Sequence, residues 1–378
     1  MVYVYPLVRK RQLPSFDLGL ARLVGRFIGA GLAPVLERAT TRVAPTIFIS
    51  TVKGIQSMPL TLVAHADWGT HPKKRWMAQA VLRPDSHYTA CAPELVGEPG
   101  ILVERLVAQA GPRGCVLLGF DFPIGLPARY AERTRIRDFL TMLPQLGHGD
   151  WSEFYAVADR PNHISLRRPF YPQSSRQKGE ARLNHLLDGL GLEMSDLRRR
   201  CEQARPGRRA ASPLFWTVGG QQVGKAAIGG WKDVLAPALC SELDVAVWPF
   251  SGSLFKLFRP GRIVIAETYP AEFYTHLGVR FSASRRGEKS GKRAQPDRAG
   301  NAPVLLAWAR TAHVRLAPAL RAELQDGFGP SADGEDRFDA TVGLLGMLNV
   351  VLGHRPPGDP DDEAVHRIEG WILGQAEW

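Results

Sequence analysis

The sequence predicts a mixed α/β protein built on one buried sheet, and three observations carry that expectation. The runs LTLVAHA at 60–66, CVLLGF at 115–120 and RIVIA at 262–266 have the continuous hydrophobicity of strands covered on both faces. Each run is closed at once by a carboxylate, at Asp67, Asp121 and Glu267. Elsewhere apolar residues recur at helical spacing, at 99–109, 129–143, 303–314 and 335–352.

Taken in order, 60–66 is followed by a polar, Pro-containing turn at 70–75 and a strand at 76–82, the pattern of an antiparallel hairpin. Residues 88–92 are expected as a third strand. The helix at 99–109 turns Ile101, Leu102, Leu106 and Val107 inward and stops at Gly111-Pro112. Residues 145–258 read as a large, mainly helical insertion, with Arg/Pro-rich loops, one amphipathic helix near 180–190 and an aromatic, Gly-rich stretch. In the helix at 335–352, Phe338, Val342, Leu345, Leu348 and Leu352 face a core. Asp339 lies on an adjacent face with Gly343 and Gly346, where small residues allow close approach to a sheet.

Composition bounds the function classes. A chain of 378 residues that is 44% hydrophobic can bury a large core, and 22% charged residues exclude wholesale disorder. No run of 18 apolar residues occurs, which argues against a transmembrane helix and for no membrane partner. Cys91, Cys115, Cys201 and Cys240 form no CxxC pair, so neither a zinc knuckle nor a redox motif is supported, and a reducing, cytoplasmic setting is expected. Of the net charge of +11, residues 1–57 contribute +6, so the remainder is only mildly basic. Those 57 residues are Arg-rich, acid-poor and lack a signal-peptide pattern. They read as an extension outside the domain at 58–378, with translation starting at Met58. A targeting helix and a packed extension are the alternatives.

The acids carry the chemical signal. A carboxylate ending a buried strand stands at the sheet rim, where open α/β sheets place their sites. Several converging there repel one another, and a hard divalent cation relieves that repulsion. Asp67, Asp121, Glu267 and Asp339 are therefore the candidate catalytic and metal-holding residues, with Asp336 divided between metal contact and favouring the helix N-terminus. Singly, each has a local explanation as a turn residue, a cap or an arginine partner. The basic loop at 282–298 offers Arg285, Arg286, Lys289, Lys292 and Arg293 to phosphates, against the alternative of a solvated loop. His65 shares a strand face with Asp67 and reads as a satisfied core histidine. Trp216, Trp231 and Trp248 read as packing residues before stacking platforms. Gly219–Lys225, GGQQVGK, falls one residue short of a phosphate loop and is followed by Ala226 where Ser or Thr is needed, leaving Lys225 as a candidate substrate contact.

Several segments resemble one family in order. Asp121-Phe122-Pro123-Ile124-Gly125-Leu126-Pro127 resembles the D-I-P-I-G-L-P signature of the domain of unknown function 429 family. Glu267-Thr268-Tyr269-Pro270-Ala271-Glu272 resembles its E-V-Y-P-E segment, and Asp336-Arg337-Phe338-Asp339-Ala340 its D-D-x-x-D-A helix start. Glu369-Gly370-Trp371-Ile372 resembles its E-G-W-I tail, and Ala66-Asp67-Trp68-Gly69 loosely resembles its first-strand element, with His65 and Trp68 replacing small residues. The resemblance implies a ribonuclease H-like, five-stranded mixed sheet with flanking helices, the first three strands antiparallel. It implies metal-binding acids at Asp67, Asp121, Glu267 and Asp339, and a nuclease using Mg²⁺ or Mn²⁺ on a nucleic acid substrate. Two rival readings remain: a phosphotransferase of the sugar-kinase and actin type, and a non-catalytic nucleic-acid-binding protein of the same fold.

Overall fold

The nine-residue run LTLVAHADW forms β1, Leu60–Trp68, buried over nearly its whole length at the middle of the sheet. The structure is a computed structural model that describes residues 60–173, 182–205, 208–218, 223–281 and 290–376, so the readings of residues 1–57 lie outside it. β2, Arg75–Leu82, returns antiparallel to β1 through a tight turn, with Asp67 opposite Trp76. β3, Tyr88–Ala90, pairs antiparallel with β2, and the two-residue β4, Glu94–Leu95, extends the same edge. β5, Cys115–Phe120, runs parallel to β1 on its other side. β6, Val245–Trp248, and β7, Ile263–Glu267, continue the parallel half. β8, Arg315–Leu316, pairs with β3.

Among the described residues the sheet thus has eight strands in the order β6-β7-β5-β1-β2-β3-β8, with β4 on β2. The three antiparallel strands at its start agree with expectation, whereas the expected five-strand count is exceeded. Two additions lie at the edges, where the two-residue β8 and the insertion's β6 pair each with a single neighbour. The insertion is accordingly less helical than expected. It contains the short helices Asn184–Leu190, Val223–Gly230 and Ala236–Cys240, many tight turns, and a strand. The helical pattern at 129–143 is likewise broken in two, Ala128–Thr134 and Phe139–Met142, with Arg135 in the left-handed region between them.

Alternation along the strands sorts the core into two layers. Leu62, Ala64, Ala66, Leu118, Phe120, Ile263 and Ile265 face the helix Leu102–Ala110 and the insertion's aromatics, Phe154, Phe215 and Trp231. Val63, Leu117, Val264 and Ala266 face the opposite way, onto Phe273 and the long helix Gly334–Val351. That helix is buried on almost every side, which accords with its apolar character all round. It lies flush on β1 at Gly343, where an added Cβ would stand 2.1 Å from the His65 ring. Among the described residues no helix is long and apolar enough to cross a membrane.

Candidate functional site

Asp67 is the penultimate residue of β1 and shares the face of Val63 and His65, the one covered by the long helix. Asp121 follows β5 directly, and the register Ala66↔Phe120 brings it beside Asp67. Asp67 donates a hydrogen bond to the Asp121 carboxylate, and the Trp68 backbone N–H donates to Asp121 Oδ1 at 2.6 Å. Burial, and then the negative charge of Asp121, Asp339 and Asp336, holds the Asp67 carboxyl well above the usual carboxylate range. Burial also pushes Asp121 up to about 6, against the opposing effect of the Trp68 N–H. A carboxyl pair sharing a proton is the expected outcome of two such groups in low dielectric.

Asp339 comes from a third element, the long helix, and is 3% exposed. Its Oδ1 accepts from the Tyr274 hydroxyl and its Oδ2 from Lys292 Nζ, which also lies 3.2 Å from Glu335 Oε1. Burial raises the Asp339 carboxyl in spite of that lysine. Burial alone would lower Lys292, but Asp339 and Glu335 beside it hold its ammonium firmly charged. The turn that delivers Lys292, Gly291–Arg293, is anchored at both ends. Buried Arg298 donates to the Lys292 carbonyl at 2.6 Å, and the Gly291 N–H donates to Asp297 at 2.6 Å. Asp336, in the first turn of the long helix, is half-buried and is pushed up to about 6, chiefly by burial; its Oδ2 has no hydrogen-bond partner among the described residues. It adds to the electrostatic load on Asp67 and does not share a hydrogen bond with it.

His65 packs against Gly343 with Nδ1 on the Ala340 carbonyl at 3.1 Å, and burial lowers it to about 3. It is therefore neutral, donating from Nδ1, and acts as the spacer between β1 and the helix that carries Asp339.

Glu267 does not join this cluster, and the reason is strand parity. It pairs in register with Phe120 and shares the face of Ile263 and Ile265, so its side chain leaves the sheet on the side opposite Asp121 and Asp67. There both its oxygens accept from Arg199, at 2.6 Å each, and Oε2 also accepts from the Ile124 N–H at 2.6 Å. Arg199 is fully buried and further bonded to Glu202, the Ile124 carbonyl and the Glu369 carbonyl. Glu369 in turn accepts from the Ala128 and Arg200 N–H groups. The segments around Pro123–Pro127 and 369–372 interlock here. A Cβ on Gly125, whose φ is +138°, would stand 2.1 Å from the Glu369 carbonyl, and one on Gly370 2.2 Å from the Ile124 carbonyl. Glu267 is thus corrected from metal ligand to the centre of an ion-paired knot that fixes the loop following Asp121.

The basic candidates divide. Lys292 enters the acidic cluster, and Arg293 lies at its exposed rim, 3.9 Å from Glu335. Arg285, Arg286 and Lys289 lie outside the described residues. Lys225 sits on Val223–Gly230, whose Ala227 packs into the layer on the far side of the sheet, so the structure does not bring it to the acids. Trp231 and Trp248 are buried, as read from the sequence, and Trp231 Nε1 donates to the Pro123 carbonyl at 2.6 Å. Tyr274, Glu335 and Arg199 were missed, and Arg298 was read only as one of the basic residues of the loop at 282–298. Only Glu335 carried a local signal, as a neighbour of Asp336 in a helix start.

The cluster therefore offers three buried aspartates from β1, the end of β5 and the long helix, with one lysine against them. Hard oxygen donors in surplus over positive charge suit Mg²⁺ or Mn²⁺ by chemistry. As folded, Tyr274 and Lys292 occupy both oxygens of Asp339, and among the described residues no three His, Cys, Asp or Glu side chains stand in a ready metal-holding arrangement. Comparisons with protein-family models, with curated proteins and with solved structures find no match.

Proposed function

We propose that this protein is a divalent-cation-dependent hydrolase of phosphodiesters, of ribonuclease H-like type, acting on nucleic acid. The observation that carries this is the convergence of Asp67, Asp121 and Asp339 on one face at the same strand ends. The ordered resemblance to the domain of unknown function 429 family and the antiparallel start of the sheet support the same reading.

Asp67, Asp121 and Asp339 would hold Mg²⁺ or Mn²⁺, which supplies Lewis acidity toward a phosphodiester when bound. The Trp68 N–H keeps Asp121 aimed at the cluster, and Tyr274 does the same for Asp339. Asp67 would have to be deprotonated to serve as a ligand, as carboxylate ligands must. Lys292, now on Asp339, would be free to turn to a phosphate oxygen once a cation took its place, and Arg293 at the rim would attract the polyanion.

The test is cleavage of labelled single-stranded, duplex and hybrid DNA and RNA with Mg²⁺ or Mn²⁺, using the full chain and Asp121→Asn. Metal-dependent cutting lost in the variant supports the reading. Nucleotide hydrolysis without cutting replaces it with the phosphotransferase, and nucleic-acid binding with neither activity replaces it with the binder.

A further inference from the structure

We propose that Arg208, with Arg205 beside it, forms an oxyanion-binding flank of the acidic site and holds a phosphate of the strand next to the one cut. This deepens the phosphodiesterase reading and rests on it.

Both arginines converge on Glu272. Arg208 Nη1 donates to Glu272 Oε2 at 3.2 Å, and Arg205 Nη2 makes a closer contact with the same oxygen. The three side chains are only 15%, 14% and 8% exposed. Burial would push the Glu272 carboxyl up, but His276 and Arg205 bonded to it hold it below the usual range, so it carries a full negative charge. Arg355 stands close enough to feel both Glu272 and Arg205. Two guanidiniums thus contact one carboxylate, with a third within electrostatic reach, so positive charge exceeds negative here.

Arg208 also has an open edge. Its Nη1 is spent on Glu272 and on Gln375 Oε1, the latter at 2.7 Å, while Nε and Nη2 have no hydrogen-bond partner among the described residues. The Nε/Nη2 edge of an arginine is the fork that grips two oxygens of one phosphate or carboxylate. Tyr269 stands beside this guanidinium and within electrostatic reach of the acids. The Arg208 guanidinium lies 5.2 Å from the Tyr269 ring, and the Tyr269 hydroxyl is acted on by Arg208, Lys292, Asp339 and Asp121 together. A cluster of aspartates repels a nucleic-acid backbone, so a site of this kind needs a positive flank to seat the strand.

The test is steady-state cleavage of a fluorescein-labelled single-stranded DNA or RNA oligonucleotide by the full chain, in Mn²⁺, at several salt concentrations. Arg208→Gln should raise KM about tenfold, in keeping with one lost charge-assisted pair, and leave kcat within about twofold. The slope of log affinity against log salt should fall by about one. Arg208→Lys, which keeps the charge and loses the fork, should lie between the two and decides the matter if the glutamine variant does not fold. Arg259→Gln removes an exposed charge paired with Asp244 and should change neither quantity. Unchanged KM and salt slope in Arg208 variants of a protein that cuts would overturn the assignment alone. A wild-type chain that cuts no nucleic acid would overturn the phosphodiesterase reading, and the flank with it.

Discussion

Asp67 donates a hydrogen bond to Asp121 at the boundary of β1 and β5, so one proton is held between two carboxyls that burial has stripped of water. Without a cation, ionising this pair works against the fold.

The first expectation concerns pH. Asp121 titrates near 6 in the fold against 3.8 ordinarily, so the folded chain holds this proton more tightly than the unfolded one. Its contribution is fully present below about pH 3.8 and is lost as pH rises through about 6. The shift corresponds to roughly 3 kcal/mol at most. In a chelator, Asp121→Asn should therefore gain about 2 kcal/mol on wild type at pH 7 and almost nothing at pH 4. Asp67 and Asp336 act in the same direction, and His65, lowered to about 3, acts in the other. Comparing the two proteins cancels the Asp336 and His65 terms, and the fall in Asp67's proton affinity on loss of the Asp121 charge adds to the gain at pH 7. Urea unfolding at the two pH values measures it, and equal differences would remove Asp121 from the strained pair.

Lys292 is the cation that the cluster already contains. Lys292→Met should lower stability in chelator by roughly 1–2 kcal/mol, the scale of a charge-assisted hydrogen bond discounted for solvent. The same change removes a competitor for Asp339, so Mn²⁺ should bind more tightly and stabilise the variant more than wild type. Calorimetric titration and melting with and without Mn²⁺ check this; weaker Mn²⁺ binding would make Lys292 a supporting group instead.

Glu267→Gln separates the two faces of the sheet. Breaking a bidentate pair to a fully buried arginine should cost about 3–5 kcal/mol, read from urea unfolding. Mn²⁺ affinity of the folded variant should stay within about twofold of wild type, because the side chain leaves the sheet away from the aspartates. Normal stability with lost Mn²⁺ binding would return Glu267 to the acidic site.

Gly343→Ala tests the seating of the long helix. The new Cβ would meet the His65 ring at 2.1 Å, and the helix is packed equally closely at Met347 over Gly119 and at Gly346 under Phe273. Overpacking of this kind should cost about 1–3 kcal/mol and, by lifting Asp339 from Asp67, lower Asp67's proton affinity. Unfolding and carboxyl titration followed by NMR report the two effects.

Much of the molecule was legible in the sequence because its cause is local. Continuous apolarity marked β1, β5 and β7, helical spacing marked the long helix, and Gly343 beside Asp339 signalled a close approach that the structure realises. The aspartates at strand ends were visible for the same reason. The partners were not. Lys292, Tyr274 and Arg199 reach their carboxylates across 47, 65 and 68 residues, and no local pattern encodes those meetings.

By itself, then, the sequence determined five of the eight strands, β1, β2, β3, β5 and β7, that carboxylates close three of them, and that a helix with a small-residue face carries a further acid. Tertiary structure alone decided which acids meet. Strand register is set by pairing between distant segments, and a one-residue offset sends a side chain through the other face of a sheet. That offset places Asp121 with Asp67 and Asp339, and turns Glu267, one position earlier in the β5–β7 register, to Arg199 on the far side.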